Sequence, residues 1–264
     1  MSCEGRQCRP RPWLRAAAAV VLAGLCALAW ADDDVRRPRA AVYDFTDSGD
    51  WPGRLVGRRA ADAVHAELAE AAPWELVDRG LVLRLCESEG LQPPFGVGYL
   101  QMLGERSRSP LAVTGLVRTC TVNERRGVAQ VTVLAELIET IGGSSLASVR
   151  GVASARRKPG EVAAIGQVVD RALGEAAGDI VRSLTRFDPT QAPVVTVLPD
   201  GRVVIDGPEE PALRPGDVLL LYRGENGSAV GAVRVESVSL TVVHARPLTG
   251  YEPQAGDRGV LVAR

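Results

Sequence analysis

The spacing of apolar residues divides the chain into a half that mixes helices with strands and a half that reads as strands alone. Residues 40–45 form a short apolar run, as expected of a buried strand, and 46–53 carry turn chemistry. Val56, Ala60, Ala63, Val64 and Leu68 then recur at helical spacing, with Arg58, Arg59, Asp62, His65 and Glu67 on the other side. This predicts an amphipathic helix, stopped by Pro73. Residues 74–77 predict a second strand. Asp78 is placed to cap a helix running to Glu89, with Val82, Leu85 and Cys86 on one stripe and Gly90 as its stop. A loop with Pro93-Pro94 leads to a short helix around Tyr99, Leu100 and Leu103.

Three strands follow, at 111–119, 128–138 and 146–153, joined by turns at 123–127 and Gly142-Gly143. In the middle one, Val131, Val133, Ala135 and Leu137 alternate with Thr132 and Glu136, the period of a half-buried strand. The clearest periodicity in the chain is Val162, Ile165, Val169, Ala172, Leu173, Ala176, Ile180 and Leu184, one face of a long helix. Residues 187–193, with Pro189 and Pro193, read as a linker. Beyond it, 194–198 and 202–206 flank Pro199-Asp200-Gly201 as a hairpin, and short strands follow at 218–222, 229–235, 240–245 and 259–262. Closely spaced strands of this kind suggest a small closed barrel, which also removes exposed edges. The expected fold is therefore an α/β (α+β) amino-terminal domain, a mixed sheet packed by helices, followed by a small all-β barrel. Leu213-Arg214-Pro215-Gly216-Asp217-Val218 is partly echoed by Pro253-Gln254-Ala255-Gly256-Asp257-Arg258, which predicts two similar turns entering strands.

The first thirty-one residues add a location. Arg6, Arg9, Arg11 and Arg15 precede an apolar run at 16–29, then Ala29-Trp30-Ala31 and Asp32-Asp33-Asp34. That is the order of a secretory signal peptide cleaved after Ala31. The alternative, a retained anchor, needs ~20 apolar residues to span a bilayer. The expected organisation is a signal peptide at 1–31, an α/β domain at 32–186, a linker at 187–193 and a barrel at 194–264. Without the four Arg and one Glu of the leader, 27 basic and 31 acidic residues remain, a formal charge of about −4. Such a balance offers no basic field for nucleic acid and no polybasic membrane patch, and no integral membrane span is expected in the exported part.

Candidate chemistry is sparse. His65 and His244 are the only histidines, and neither has Cys or His partners at metal-ligand spacing. His65 is expected on a helix surface and His244 in the barrel. Gly96-Val97-Gly98 lacks a third Gly, and Gly142-Gly143-Ser144-Ser145 reads as a hairpin turn. Glu209-Glu210 and Asp32-Asp33-Asp34 read as solvated charge, because catalytic carboxylates need opposed placement. Asn226-Gly227-Ser228 matches a glycosylation acceptor and serves equally as a turn. No catalytic set, cofactor or metal is implied. After the leader only Cys86 and Cys120 remain. Cys86 lies on the inner stripe of its helix, whereas Cys120 falls in phase with Arg118, on the face opposite Val113, Gly115 and Val117. A bridge between them is open only if helices cover both faces of the sheet. Pro93, Pro94, Phe95 and Tyr99 place apolar and aromatic residues in a loop, a composition favoured at interfaces. They are the candidate partner surface, with packing against their own domain as the alternative.

Ala41-Val42-Tyr43-Asp44-Phe45, Trp74-Glu75-Leu76-Val77-Asp78-Arg79, and Leu111-Ala112-Val113-Thr114-Gly115 after a short helix resemble, in that order, the CsgG-type and TolB-amino-terminal-like group. The resemblance covers roughly residues 38–186. The barrel, through Leu213-Arg214-Pro215-Gly216-Asp217 and the later Gly-Asp, resembles the carboxy-terminal domain of FlgT-like proteins. The resemblance implies a non-enzymatic periplasmic or cell-envelope protein that binds or scaffolds other envelope proteins, with ring formation or self-association among its relatives and LpoB-like activators among the soluble ones. A CsgG-like secretion channel is one alternative. It requires long inserted hairpins, and the turns at 123–127 and Gly142-Gly143 are short, whereas a lipid-facing strand takes ~9–11 residues. A peptidoglycan- or polysaccharide-binding module is the other.

Overall fold

The computed structural model describes residues 37–47, 55–71, 74–161, 163–184, 188–206, 213–224, 228–239, 242–248 and 250–263. The leader with Ala31, Asp32-Asp33-Asp34, most of the 46–53 turn, Pro73, Glu209-Glu210 and Asn226-Gly227 lie outside the described residues. Residues 37–264 form one compact unit.

Its first part is a mixed six-stranded sheet. The order is β3 (Glu75–Leu76), β1 (Arg39–Val42), β4 (Leu111–Asn123), β5 (Val128–Glu139), β6 (Ser145–Arg156), with β2 (Thr46–Asp47) beside β4. β1 runs parallel to β3 and β4, and β4, β5 and β6 form an antiparallel ribbon. Helices cover both faces. α1 (Val56–Ala71) and α4 (Ile165–Leu184) bury Val64, Leu68, Val169, Leu173 and Ile180 against Val42, Val113, Val131 and Val133. On the other face α2 (Arg79–Ser88) and α3 (Val97–Ser107) bury Val82, Leu100 and Leu103 against Ala41, Tyr43 and Ala112. Adjacent residues of β1 thus feed different cores, which is why residues 40–43 are apolar at every position, the mark of a strand covered on two sides. Each fully buried Leu or Ile contributes roughly 1.5–3 kcal/mol. The α2 start follows from the sequence: Asp78 is the N-cap, its carboxylate accepting from the Leu81 N–H at 2.8 Å.

Two expectations are corrected here. Cys86 and Cys120 are both buried, in different cores. A β-bulge between Val117 and Thr119 inserts an extra residue opposite β5, so Cys120 joins the Val113 and Val117 face instead of opposing it. Cys86 packs on the other face, and the sheet itself separates the thiols. The second correction concerns the linker. β7 spans Asp188–Val197, so pairing begins within residues 187–193. Asp188 to Pro193 pair with β12 (Arg258–Ala263) alone, and β8 (Val203–Asp206) joins only from Val194. Prolines are tolerated there because one side of that stretch demands no N–H.

The second part is a closed six-stranded barrel in the order β10 (Ser228–Ser239), β11 (Val242–Pro247), β8, β7, β12, β9 (Val218–Arg223). The fold class expected from the sequence is the one observed. The order is unchanged when β7, β8, β9 are exchanged with β10, β11, β12, so the barrel is a repeated three-strand unit. The Gly-Asp echo marks the repeat. Asp217 accepts from the Arg214 N–H and Asp257 from the Gln254 N–H, both at 2.8 Å. Gly216 and Gly256 both take positive φ, +96° and +90°, as the turn requires. Gly216 N–H donates to Val235 and Gly256 N–H to Val194, each valine answering with an N–H to the following Asp carbonyl. Inside are Val203, Ile205, Leu219, Leu221, Val233 and Leu261. Outside, Val218, Leu220, Ala232 and Val262 belong to the same core as α1 and α4. β9 is therefore buried on both faces, which explains its unbroken Val-Leu-Leu-Leu.

Candidate functional site

Where β1 ends, the chain turns toward α1 on one face, whereas β3 leads to α2 on the other. Divergence of this kind opens a crevice at the carboxyl ends of parallel strands, a common ligand position in α/β sheets. A cleft of about 610 Å³ lies there, bordered by Asp44, Phe45, Asp47, Cys86, Pro93 and Phe95 among others. Asp44 and Asp47 are tied into the fold, whereas Arg58 and Glu87, which also line the cleft, are exposed. Arg79 pairs with Asp44, donates through Nε to Asp62 at 2.9 Å and through Nη1 to the Val42 carbonyl at 2.9 Å. The arginine of the Val77-Asp78-Arg79 segment thus ties the end of β1 to α1 and α2. Asp47 accepts from the Val56 N–H at 3.1 Å, at the start of α1. Burial pushes the Cys86 thiol up to about 11, reinforced by the nearby Asp44 charge, so it is protonated at neutral pH and a poor nucleophile. No group of three or more metal-capable side chains occurs among the described residues.

The four residues singled out in the 93–99 loop separate. Pro93 and Phe95 border the cleft, and Phe95 packs on Tyr43 with ring centroids 5.6 Å apart. Pro94 is exposed, and Tyr99 is 53% exposed on α3. His65 is half-buried with Nε2 3.4 Å from the Val77 carbonyl oxygen, and His244 is half-buried in β11. Glu139, which the sequence did not single out, is fully buried at the end of β5. Its carboxylate accepts the N–H groups of Ile141 at 2.5 Å and Gly142 at 2.9 Å, closing the β5–β6 turn. Burial raises its pKa against the pull of those bonds.

A second feature is the outer edge of β6. It is the terminal strand of the sheet, twelve residues long, and no strand pairs its outer side among the described residues. One of its faces lies on α4 through Gly151, where a Cβ would stand 2.3 Å from the Ala176 carbonyl oxygen. The other presents Ser148, Arg150, Val152 and Ser154 to solvent, Val152 being 52% exposed. Alternation in the sequence pointed to the strand, but its position at the sheet's end depends on strand order, which alternation does not encode.

No family model matches the chain, and no curated protein matches it. Solved structures do. The chain is similar to the PelC dodecamer from Paraburkholderia phytofirmans, with 12% identity over 55% of this chain and 89% of that one, at a TM-score of 0.37. It is similar to lipoprotein GNA1162 from Neisseria meningitidis, with 16% identity over 54% of this chain and 98% of that one, at 0.37. It is also similar to the LpoB C-terminal domain from Escherichia coli, with 14% identity over 46% of this chain and 86% of that one, at 0.33.

Proposed function

We propose that this protein is a non-catalytic accessory protein of the cell envelope that binds other envelope proteins, with the free edge of β6 as its docking strand. The observation that carries the reading is that edge: a twelve-residue strand whose outer side meets no other strand among the described residues, beside a solvent-facing Val152. Exposed edges template the addition of an extended segment, and side chains on alternate positions then give selectivity. The occupant is an extended segment of another envelope protein. The envelope location is supported by the basic, apolar and small-residue order of residues 1–31. The absence of catalysis is supported by two carboxylates of the cleft, Asp44 and Asp47, being engaged with Arg79 and with the start of α1. Weighing against a secretion channel, the barrel is apolar inside, whereas a membrane barrel turns its apolar side chains toward lipid.

Photocrosslinking in the producing cell tests this. A photoreactive residue at Val152 is expected to give a discrete adduct with another envelope protein, absent when the probe sits at Asp200 on the far hairpin of the barrel. Val152→Arg is expected to abolish the association while leaving the melting temperature unchanged. A single adduct of two copies of this chain would replace the partner by self-assembly. Equal adducts from both positions, or none, would refute edge docking.

A further inference from the structure

The far end of the β4–β5–β6 ribbon gathers charge that the overall composition conceals. The chain is nearly balanced, with 31 basic and 32 acidic residues. Yet a concavity of about 410 Å³ is lined by Arg125, Arg126, Arg156, Arg157 and Lys158, with Gly127 and Pro159 and no carboxylate. None of the five cations forms an ion pair among the described residues, although several arginines elsewhere on the surface do. Five like charges held together repel one another, and an anion seated among them relieves that repulsion.

The arrangement is held by backbone. In the β4–β5 turn, Asn123 accepts from the Arg126 N–H at 3.0 Å, and Gly127 donates to the Glu124 carbonyl at 3.2 Å. The end of β6 is tied to this turn: Val128 pairs with Arg156, and the Arg157 N–H donates to the Gly127 carbonyl at 2.7 Å. A Cβ on Gly127 would lie 2.8 Å from that of Arg157, so the glycine lets the two segments close. Glu161, an acid nearby in sequence, is spent on the Lys158 N–H at 2.7 Å and on Arg171 at 3.1 Å, and does not line the concavity. Arg157 also carries an Nε shielded from water and without a hydrogen-bond acceptor. A buried N–H in that state is costly unless something supplies the acceptor.

We propose that this concavity is a binding site for a phosphate-bearing anion. Guanidinium groups present paired N–H donors that match the oxygens of phosphate, and four of the five cations are arginines. A phosphomonoester or pyrophosphate delivers more than one negative charge to a site of five positive ones, and a surface of phosphodiester headgroups presents several single charges together. The surface is separate from the β6 edge proposed for protein docking, so each stands or falls by itself.

Calorimetric titration of the full chain with sodium pyrophosphate tests the site. Saturable binding is expected, weakening as salt rises from about 50 to 200 mM. Arg126→Glu with Arg156→Glu, both at exposed positions, is expected to weaken it by about tenfold or more without changing the melting temperature. Arg157→Gln, with less charge removed, tests the acceptor-seeking Nε and is expected to weaken it by about fivefold or more. Cosedimentation with vesicles distinguishes the source. Retention on phosphatidylglycerol but not phosphatidylcholine, lost in the double variant, assigns the phosphate to a lipid headgroup. Pyrophosphate binding without vesicle retention assigns it to a soluble phosphorylated molecule. No saturable binding of pyrophosphate, or equal affinity for wild type and the double variant, overturns the proposal.

Discussion

Replacing Arg79 by Met keeps most of the apolar stem and removes three polar contacts at once. The Asp44 pair is the largest loss, because the side chains of Arg79 and Asp44 are only 13% and 23% exposed. Breaking a fully buried pair costs about 3–5 kcal/mol, and partial access of water to Asp44 brings this toward 2. Asp62 is 51% exposed, so its share is that of a surface pair, about 0.5 kcal/mol. The charged donor on the Val42 carbonyl adds about 1 kcal/mol, since water can reach that acceptor only in part. The expected loss for Arg79→Met is therefore roughly 3–4 kcal/mol in urea unfolding. Asp62→Asn is expected to lose less than about 1 kcal/mol. A double-mutant cycle between Arg79→Met and Asp44→Asn should return a coupling of about 2 kcal/mol. If Arg79→Met costs under about 1 kcal/mol, the network is not what fixes the end of β1.

Gly151→Val should detach α4 from β6, costing about 3 kcal/mol or more by thermal melting, because the new side chain meets helix backbone that cannot rotate away. Asp257→Ala should cost about 3 kcal/mol, since the nearly buried carboxylate both holds the Gln254 N–H and pairs through two oxygens with Arg223. Glu139 has a raised folded pKa, so the folded state binds its proton more tightly than the unfolded chain does; its contribution is fully present below the ordinary value near 4.5 and is lost as pH rises through the raised one. The melting temperature of wild type minus that of Glu139→Gln should accordingly increase as pH is lowered from neutral toward that value, and a flat difference would refute the assignment.

Much of the fold was legible because it rests on local patterns. The α4 stripe, the β5 alternation and the Asp78 cap each follow from residues within a few positions of one another. The Gly-Asp echo was legible too, although its meaning, a barrel that maps onto itself, needed the strand order. What escaped were effects that cross the sheet. One extra residue in β4 moved Cys120 to the opposite face, and apolar alternation alone does not mark where a bulge falls. Pro189 and Pro193 looked like a linker because proline weakens a strand paired on both sides, whereas that stretch is paired on one. Glu139 was one polar residue among apolar ones; its burial is tolerated because two N–H groups of a turn, from Ile141 and Gly142, meet its carboxylate in the folded chain. The basic concavity escaped for the same reason: Arg125 and Arg126 lie some thirty positions before Arg156, Arg157 and Lys158, and the antiparallel register joins them.

The two surfaces proposed for binding share one structural origin. Among the described residues β1 pairs with β4 at Ala40–Val42 and β2 adds Thr46 and Asp47, and the remainder of β4, β5 and β6 runs on as a ribbon beyond them. Its inner face is closed by α4 and by the core that the barrel's β9 shares. That shared core commits the apolar side of the ribbon to the fold itself. The outward face of β6, its outer edge and the charged end remain, and all three are polar or partly charged surfaces carried on rigid hydrogen-bonded strands. Such surfaces suit recognition: pre-organised backbone and fixed charges select a partner at low entropic cost.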